Sequence, residues 1–293
     1  MTAQQAGARG VRLSGSSGRR GRGPGLWLRY LALTVLAVAF LMPFYVIARN
    51  AFSTQSWITA ASWNWLPNAF GVDNVARVLA DPGIGVLAAL GTSAVVAVLQ
   101  TVGTVVIAMM GGYGLARWTT RAARWATGLT VFTLMVPTTV TFVPMFVMVS
   151  TLGWISTFRG LIIPGLFSAF ATYLFRSSFV DFPRELEEAA AIDGAGPWRT
   201  FWRIVVPNSM GMVAAVGTIT FIGTWNAFLW PLLIAQDPGM RTVQVALSQY
   251  MTSQGIRYPE MFMGALIAIA PALVVFVFLQ RWLVQGVTQS GLK

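Results

Sequence analysis

The sequence predicts an all-α polytopic membrane protein with six transmembrane helices, and three observations carry that expectation. The 293 residues are 56% hydrophobic and only 10% charged, with a mean hydropathy of +0.66. Soluble domains are less apolar and more charged than this. Six apolar stretches are long enough to cross a bilayer, and none contains Asp, Glu, Lys or Arg. The arginines gather at the ends of those stretches, mostly on one side.

Residues 1–25 are rich in Gly, Ser and Arg and show no apolar period. They read as a disordered basic cytoplasmic tail able to touch anionic membrane lipid. Arg19-Arg20 superficially matches a twin-arginine signal. The span that follows is too long for a signal-peptide core and lacks a small-residue cleavage site, so it reads as an uncleaved first span. Residues 26–293 then form one six-helix transmembrane domain. The spans run roughly Leu31–Ala48, Gly85–Leu115, Thr127–Thr151, Gly160–Phe175, Ser209–Ile234 and Met261–Leu279. Pro137 and Pro144 break the third, and Pro271 lies inside the sixth.

Two loops are long. Residues 50–84 carry Trp57, Trp63 and Trp65 and a short amphipathic helix over 70–79, expected to lie on the outer surface. Residues 236–260 carry Gln244, Gln249, Gln254, Gly255 and Tyr258. With the amino end inside, the tail arginines, Arg117, Arg121, Arg124, Arg176, Arg184, Arg199, Arg203, Arg281 and Lys293 face the cytoplasm. The outer side keeps only Arg49, Arg77, Arg159, Arg241 and Arg257. Both termini are therefore expected to be cytoplasmic.

Composition also excludes. The net charge of +11 suggests nucleic acid at first sight, but its distribution is a topology signal. There is no Cys and no His, which removes thiolate chemistry and the commonest metal ligand and general base. The sole lysine is Lys293. A phosphate-binding loop needs Gly-Lys-Ser/Thr, so this chain should not hydrolyse ATP and reads as no enzyme. Charge-free spans argue against proton or sodium coupling.

Five of the nine acidic residues lie between Asp181 and Asp193. Pro183 fits a first-turn position, with Glu185, Glu187 and Glu188 near the positive end of the helix dipole. Gly194 suits a left-handed stop. Gly196-Pro197 restarts a helix in which Trp198, Phe201, Trp202 and Val205 form one apolar face, and Pro207 ends it. Periodicity alone equally fits an amphipathic helix resting on lipid headgroups.

The spacing is more specific. Glu188-Ala189-Ala190, three residues, Gly194, nine residues, Ile204, two residues and Pro207 resembles the EAA loop of ABC importer permeases. In that family the loop is a coupling helix docked on an ATPase. Val206 stands where Leu is usual. Trp225-Asn226-Ala227-Phe228-Leu229-Trp230-Pro231-Leu232 resembles the W-N-x-F-L-W-P-L signature of carbohydrate-type permeases, in the half without a large extra outer domain. Ala227 replaces the usual polar residue. An outer aromatic belt is the simpler reading of Trp230, whereas Asn226 needs a partner or a wet cavity. The ending from Gln280 to Lys293 resembles Q-R-x-x-V-x-G-L-x-x-G-x-x-K-G, lacking the last Gly. In the maltose-type importer that tail reaches the ATPase dimer.

Together these stretches resemble the maltose-type (carbohydrate uptake) ABC importer permeases, from about residue 27 onward. The resemblance implies the type I importer permease fold with a cytoplasmic coupling helix. It implies a plasma-membrane assembly of this chain, a second homologous permease, an ATPase dimer and an extracellular solute-binding protein, soluble or lipid-anchored. No cofactor is expected on this chain; ATP and Mg belong to the ATPase. It assigns ATPase coupling to Glu187, Glu188, Ala189, Ala190, Asp193, Gly194, Ile204 and Pro207. Thr138, Thr139, Thr141, Trp225 and Asn226 are candidates for the path of a sugar or sugar-like solute, although threonines commonly bond back to their own helix. Gln249, Gln254 and Gly255 are candidates for binding-protein contact. The competing readings are a stand-alone secondary transporter or channel, and a membrane sensor or scaffold that moves nothing.

Overall fold

Proline and small polar residues decide where the apolar stretches run straight and where they break. The computed structural model describes residues 24–69, 73–253 and 255–290. The basic tail up to Gly23, residues 70–72, Gln254, the terminal Gly291-Leu292-Lys293 and the side chains of Pro24, Gly25, Leu279 and 281–290 lie outside the described residues. The chain divides into two units, Met1–Val46 and Ile47–Lys293.

The first unit contributes most of α1 (Pro24–Ala51), an apolar helix in which Thr34 bonds back to the Tyr30 carbonyl at 2.8 Å. The second unit begins at the end of that helix. It continues through α2 (Gln55–Ile58), α3 (Asp73–Ala80) and the long α4 (Val86–Arg117). Then come α5 (Arg121–Met135), α6 (Thr138–Thr151), α7 (Phe158–Ile162) with a tight turn to Gly165, and α8 (Ala169–Val180). A loop built of α9 (Arg184–Ile192), α10 (Pro197–Thr200) and α11 (Val206–Asn208) leads to α12 (Met210–Trp225) and α13 (Leu229–Ile234). Finally α14 (Val243–Ser248), a hairpin of β1 (Met251–Thr252) and β2 (Gly255–Ile256), and α15 (Tyr258–Ser290) complete it.

Among the described residues three helical stretches are long and apolar enough to span alone: Leu26–Ala51, Val86–Arg117 and Tyr258–Phe278. Three bent pairs reach span length only together. The expected third span is a correction: it is not one kinked rod, because α5 and α6 meet at 100°. Val136, which precedes Pro137, is extended (φ −80°, ψ 118°), since a residue before proline avoids the helical region. Pro144 sits inside α6 without breaking it. The fourth span divides into α7 and α8 with a 42° bend, and Ser168 caps α8 by accepting from the Ala171 amide at 3.2 Å. The fifth expected span divides at Asn226 into α12 and α13.

The core of the second unit forms where α4 packs on α8 and α12, and α12 on α15. In a membrane this contact depends on close backbone approach. Gly112 provides it: a Cβ there would meet the Arg176 backbone nitrogen and the Phe175 Cβ, both at 2.8 Å. Around that crossing Val105, Met109, Phe175, Phe179, Phe201 and Val205 make one buried cluster. The short helix expected to lie on a surface is instead docked. It begins at Asp73 and buries Asn74 and Val78. Asn74 Nδ2 donates to the Ala51 carbonyl at 2.7 Å, satisfying a backbone group at the end of α1.

Candidate functional site: the 184–208 loop and its anchor

The loop between α8 and α12 is shaped by its own sequence. Pro183 caps α9, and Glu185 and Glu187 lie in its first turn, where the helix dipole favours carboxylates. The helix ends in a Schellman motif. The Gly194 amide donates to Ala191 O at 3.0 Å and the Ala195 amide to Ala190 O at 2.9 Å. Gly194 has φ +77°, a conformation any β-carbon strains. Gly196 and Pro197 start α10 at once. Residues 201–205 then widen into i→i+5 turns. Pro207 does not end the helix as expected but lies within α11, and the chain turns by 78° around Ser209 into α12. A proline in the first turn of α11 needs no amide there.

The glutamates divide by direction. Glu188 is exposed, as are Ala189, Asp193 and Gly194, whereas Ala190 is buried. Ile192 is 87% exposed and Trp198 62%, so charged and apolar groups share one open face. Of the predicted apolar face only Phe201 and Val205 are buried, with Trp202 part-buried and Ile204 similarly placed.

Glu187 turns the other way. Its carboxylate takes Arg117 Nε at 2.8 and 3.1 Å, pairs with Arg117 Nη2, and accepts from the Tyr113 hydroxyl at 2.9 Å. The same guanidinium donates through Nη1 to Phe179 O at 2.7 Å and through Nη2 to Phe182 O at 3.4 Å. One Arg fork therefore joins the end of α4, the end of α8 and the first turn of α9. Such planar, multiply bonded pairing is what Arg does and Lys does not. The Arg117 ring of contacts was not legible in the sequence, where it is only a flanking cation 70 residues from its partner.

The other predicted residues lie elsewhere. Thr138, Thr139 and Thr141 are exposed at the start of α6, and Thr141 bonds back to Thr138 O at 3.0 Å. Trp225 is 3% exposed, donates to Ala268 O at 3.1 Å and stacks on Phe221. Asn226 donates to Ile222 O at 2.9 Å and accepts from Gln244 Nε2 at 3.2 Å. Trp230 is part-buried and donates to Gly160 O at 3.1 Å, so a protein carbonyl rather than a headgroup holds its indole. A cavity of about 310 Å³ opens between α4, α8 and α12, and none of these five path candidates lines it. Its only amide is Gln100, the one amide in the second apolar span; a polar residue in hydrocarbon is the signal that would have found it.

At the other end of α4, Gln249 is part-buried and Gly255 is exposed at the hairpin. The base of this loop is tied to α4: the Val243 amide donates to Ser93 Oγ at 2.8 Å. Gln55 grips the hairpin strand, donating to Ile256 O at 2.8 Å and accepting from the Tyr258 amide at 3.1 Å.

The chain is similar to known transport components. The model of the family described as "Binding-protein-dependent transport system inner membrane component" matches residues 103–289. The chain is 33% identical over 270 residues to the sn-glycerol-3-phosphate transport system permease protein UgpE of Brucella abortus, covering 89% of this chain and 94% of that protein. UgpE of Yersinia pestis is 31% identical over 268 residues, covering 89% and 95%. A bacterial ABC transporter involved in import of the acidic polysaccharide alginate contains a chain of the same fold, with TM-score 0.77 and 21% identity over 88% of this chain and 96% of that one. The alginate transporter in complex with a pentasaccharide-bound periplasmic protein matches with TM-score 0.64 and 15% identity, over 86% and 92%. The helical architecture is therefore that of an ABC importer permease, and the chain belongs to the family of inner membrane components of binding-protein-dependent transport systems.

Proposed function

We propose that this chain is the permease half of an ATP-driven importer for a sugar or sugar-like solute. In this reading a separate ATPase dimer, carrying ATP and Mg, docks on the exposed face of the 184–208 loop. A second homologous permease completes the membrane path, and an extracellular solute-binding protein delivers the solute to the 236–260 loop. Both termini and the acidic loop are cytoplasmic, in keeping with the arginine distribution. The chain itself catalyses no reaction and binds no cofactor. The names of its relatives, which refer to sn-glycerol-3-phosphate and alginate, support a polyhydroxylated cargo.

One observation carries the reading: the two faces of α9 have opposite tasks. Glu188 and Ile192 point outward while Glu187 is fastened to Arg117. A partner pulling on the outer face moves α4 and α8 through that anchor. Movement of the coupling helix thereby switches the spans between inward- and outward-facing states.

The test is a Glu188→Ala/Gly194→Val double variant, purified in detergent beside the wild type. The expected result is unchanged membrane insertion with loss of the co-purifying ATPase and of transport. Wild-type transport by the double variant would overturn the assignment, as would a wild-type chain that brings down no ATPase.

A further inference from the structure

The cavity between α4, α8 and α12 has a chemistry of its own. Among the described residues its walls contain no charged side chain, and they present hydroxyls, one amide and two phenyl rings. Of the lining hydroxyls, Thr104 is spent on Gly165 O at 3.1 Å. Hydroxyls in apolar helices ordinarily bond back to their own backbone, and two on α8 and α12 outside the lining do. Thr218 donates to Ala214 O at 2.7 Å, and Thr172 to Ser168 O at 2.9 Å. Thr220 and Thr224 break the pattern. They stand four apart on one face of α12, line the cavity, and have no side-chain partner among the described residues. Across the cavity Ser168 Oγ accepts from a backbone amide and keeps its own proton free. Gln100 Nε2 donates to Gly165 O only at 3.5 Å, leaving Oε1 as an open acceptor.

Space and shape agree. Gly223 lies between the two threonines, and a Cβ placed on it would meet nothing within 4 Å. Phe167 of the α7–α8 junction is exposed along the wall. Apolar rings beside unspent hydroxyl and amide groups suit the faces and edges of a polyhydroxylated ring. An anion would find no cation here, and an uncompensated charge in such a place is costly.

We propose that Thr220, Thr224, Ser168 and Gln100, around the open wall at Gly223, form a solute subsite that takes an uncharged saccharide or polyol unit rather than a phosphate or carboxylate group. The subsite deepens the importer reading and rests on it. Its four polar groups supply donors and acceptors to neutral hydroxyls, and Phe167 covers one face of the ring.

The experiment uses the complete assembly, co-purified and reconstituted in proteoliposomes with its binding protein. The probes are labelled neutral mono-, di- and trisaccharides and their polyols, with glycerol 3-phosphate as the anionic probe. At least one neutral probe is expected to be taken up in preference to glycerol 3-phosphate. A Thr220→Val/Thr224→Val variant should lower that uptake by about tenfold or more, as expected for two lost hydrogen bonds to solute, while ATP hydrolysis persists. Gly223→Leu should reduce uptake to background and Gly223→Ala should leave it near wild type, since the wall is open. Uptake confined to glycerol 3-phosphate, no uptake of any neutral probe, or wild-type uptake by Gly223→Leu would each overturn the subsite. An assembly without an ATPase would instead remove the importer reading on which it stands.

Discussion

The two ends of α4 lie beside ion pairs of different kinds. At the Arg117 end a single guanidinium meets Glu187, with side chains 13% and 15% exposed, and adds two carbonyls of the α8 terminus. At the Val86 end the pairs are split and wetter. Arg257 reaches Asp81 at 2.9 Å with exposures of 48% and 16%, and Arg77 reaches Glu260 at 3.3 Å with 54% and 10%. Water screens the second group, so each pair contributes little by itself. The first is shielded and shared among three helices, so removing one member leaves an orphaned charge. The difference suits a rigid anchor at one end and a set of separable loop contacts at the other.

The largest expected effect comes from breaking the anchor. Arg117→Ala strands the Glu187 carboxylate and the Tyr113 hydroxyl and should cost about 3–5 kcal/mol, read as a lowered melting temperature of the purified chain. Because Glu188 remains outward, the ATPase should still co-purify while transport fails. Retained coupling in that variant would break the contrast between the two ends. Arg117→Lys should fall between, because an ammonium keeps the charge but cannot hold a carboxylate and two carbonyls in one plane.

Single changes at the other end should be smaller. Arg257→Ala is expected to lower stability by less than about 1 kcal/mol. Its pH behaviour sharpens the comparison. Burial raises the Asp81 carboxyl, but the Arg257 side chain and the amides of Gly83 and Ile84 outweigh it and hold the group below its ordinary 3.8. A lowered carboxylate contributes stability above its unfolded value and loses it as the pH falls through the folded one. Burial, with Asp81 nearby, pushes the Tyr250 hydroxyl up to about 12 from 10.0. That contribution is present below pH 10.0 and is lost as the pH rises through about 12. Limited proteolysis across the 251–256 hairpin should therefore accelerate below about pH 4 and above about pH 10. A flat profile would show that these contacts do not hold the loop.

Much of the chain was legible before any coordinates. Apolar length located the three helices that span alone and the stretches that divide into bent pairs, and Gly194 and Gly196-Pro197 announced the stop and restart of the loop because their backbone preferences are local. Pro137 announced a break but not its size. A residue before proline leaves the helical region without specifying where the next helix goes, and packing set the 100° turn. Trp225 and Asn226 were singled out as a pair by their motif, yet one is in the core and the other bonds Gln244.

What the sequence determined by itself is the membrane class, the spans and the acidic loop, all of which follow from composition, periodicity and nearest-neighbour chemistry. Only the tertiary structure decided which glutamate faces inward. Glu187 and Glu188 are adjacent on one helix, and the choice depends on Arg117, brought near by the crossing of α4 and α8 at Gly112. The same crossing, with α12, encloses the cavity. Contacts between residues so far apart in the chain carry no local signature, so they exist only once the helices have packed.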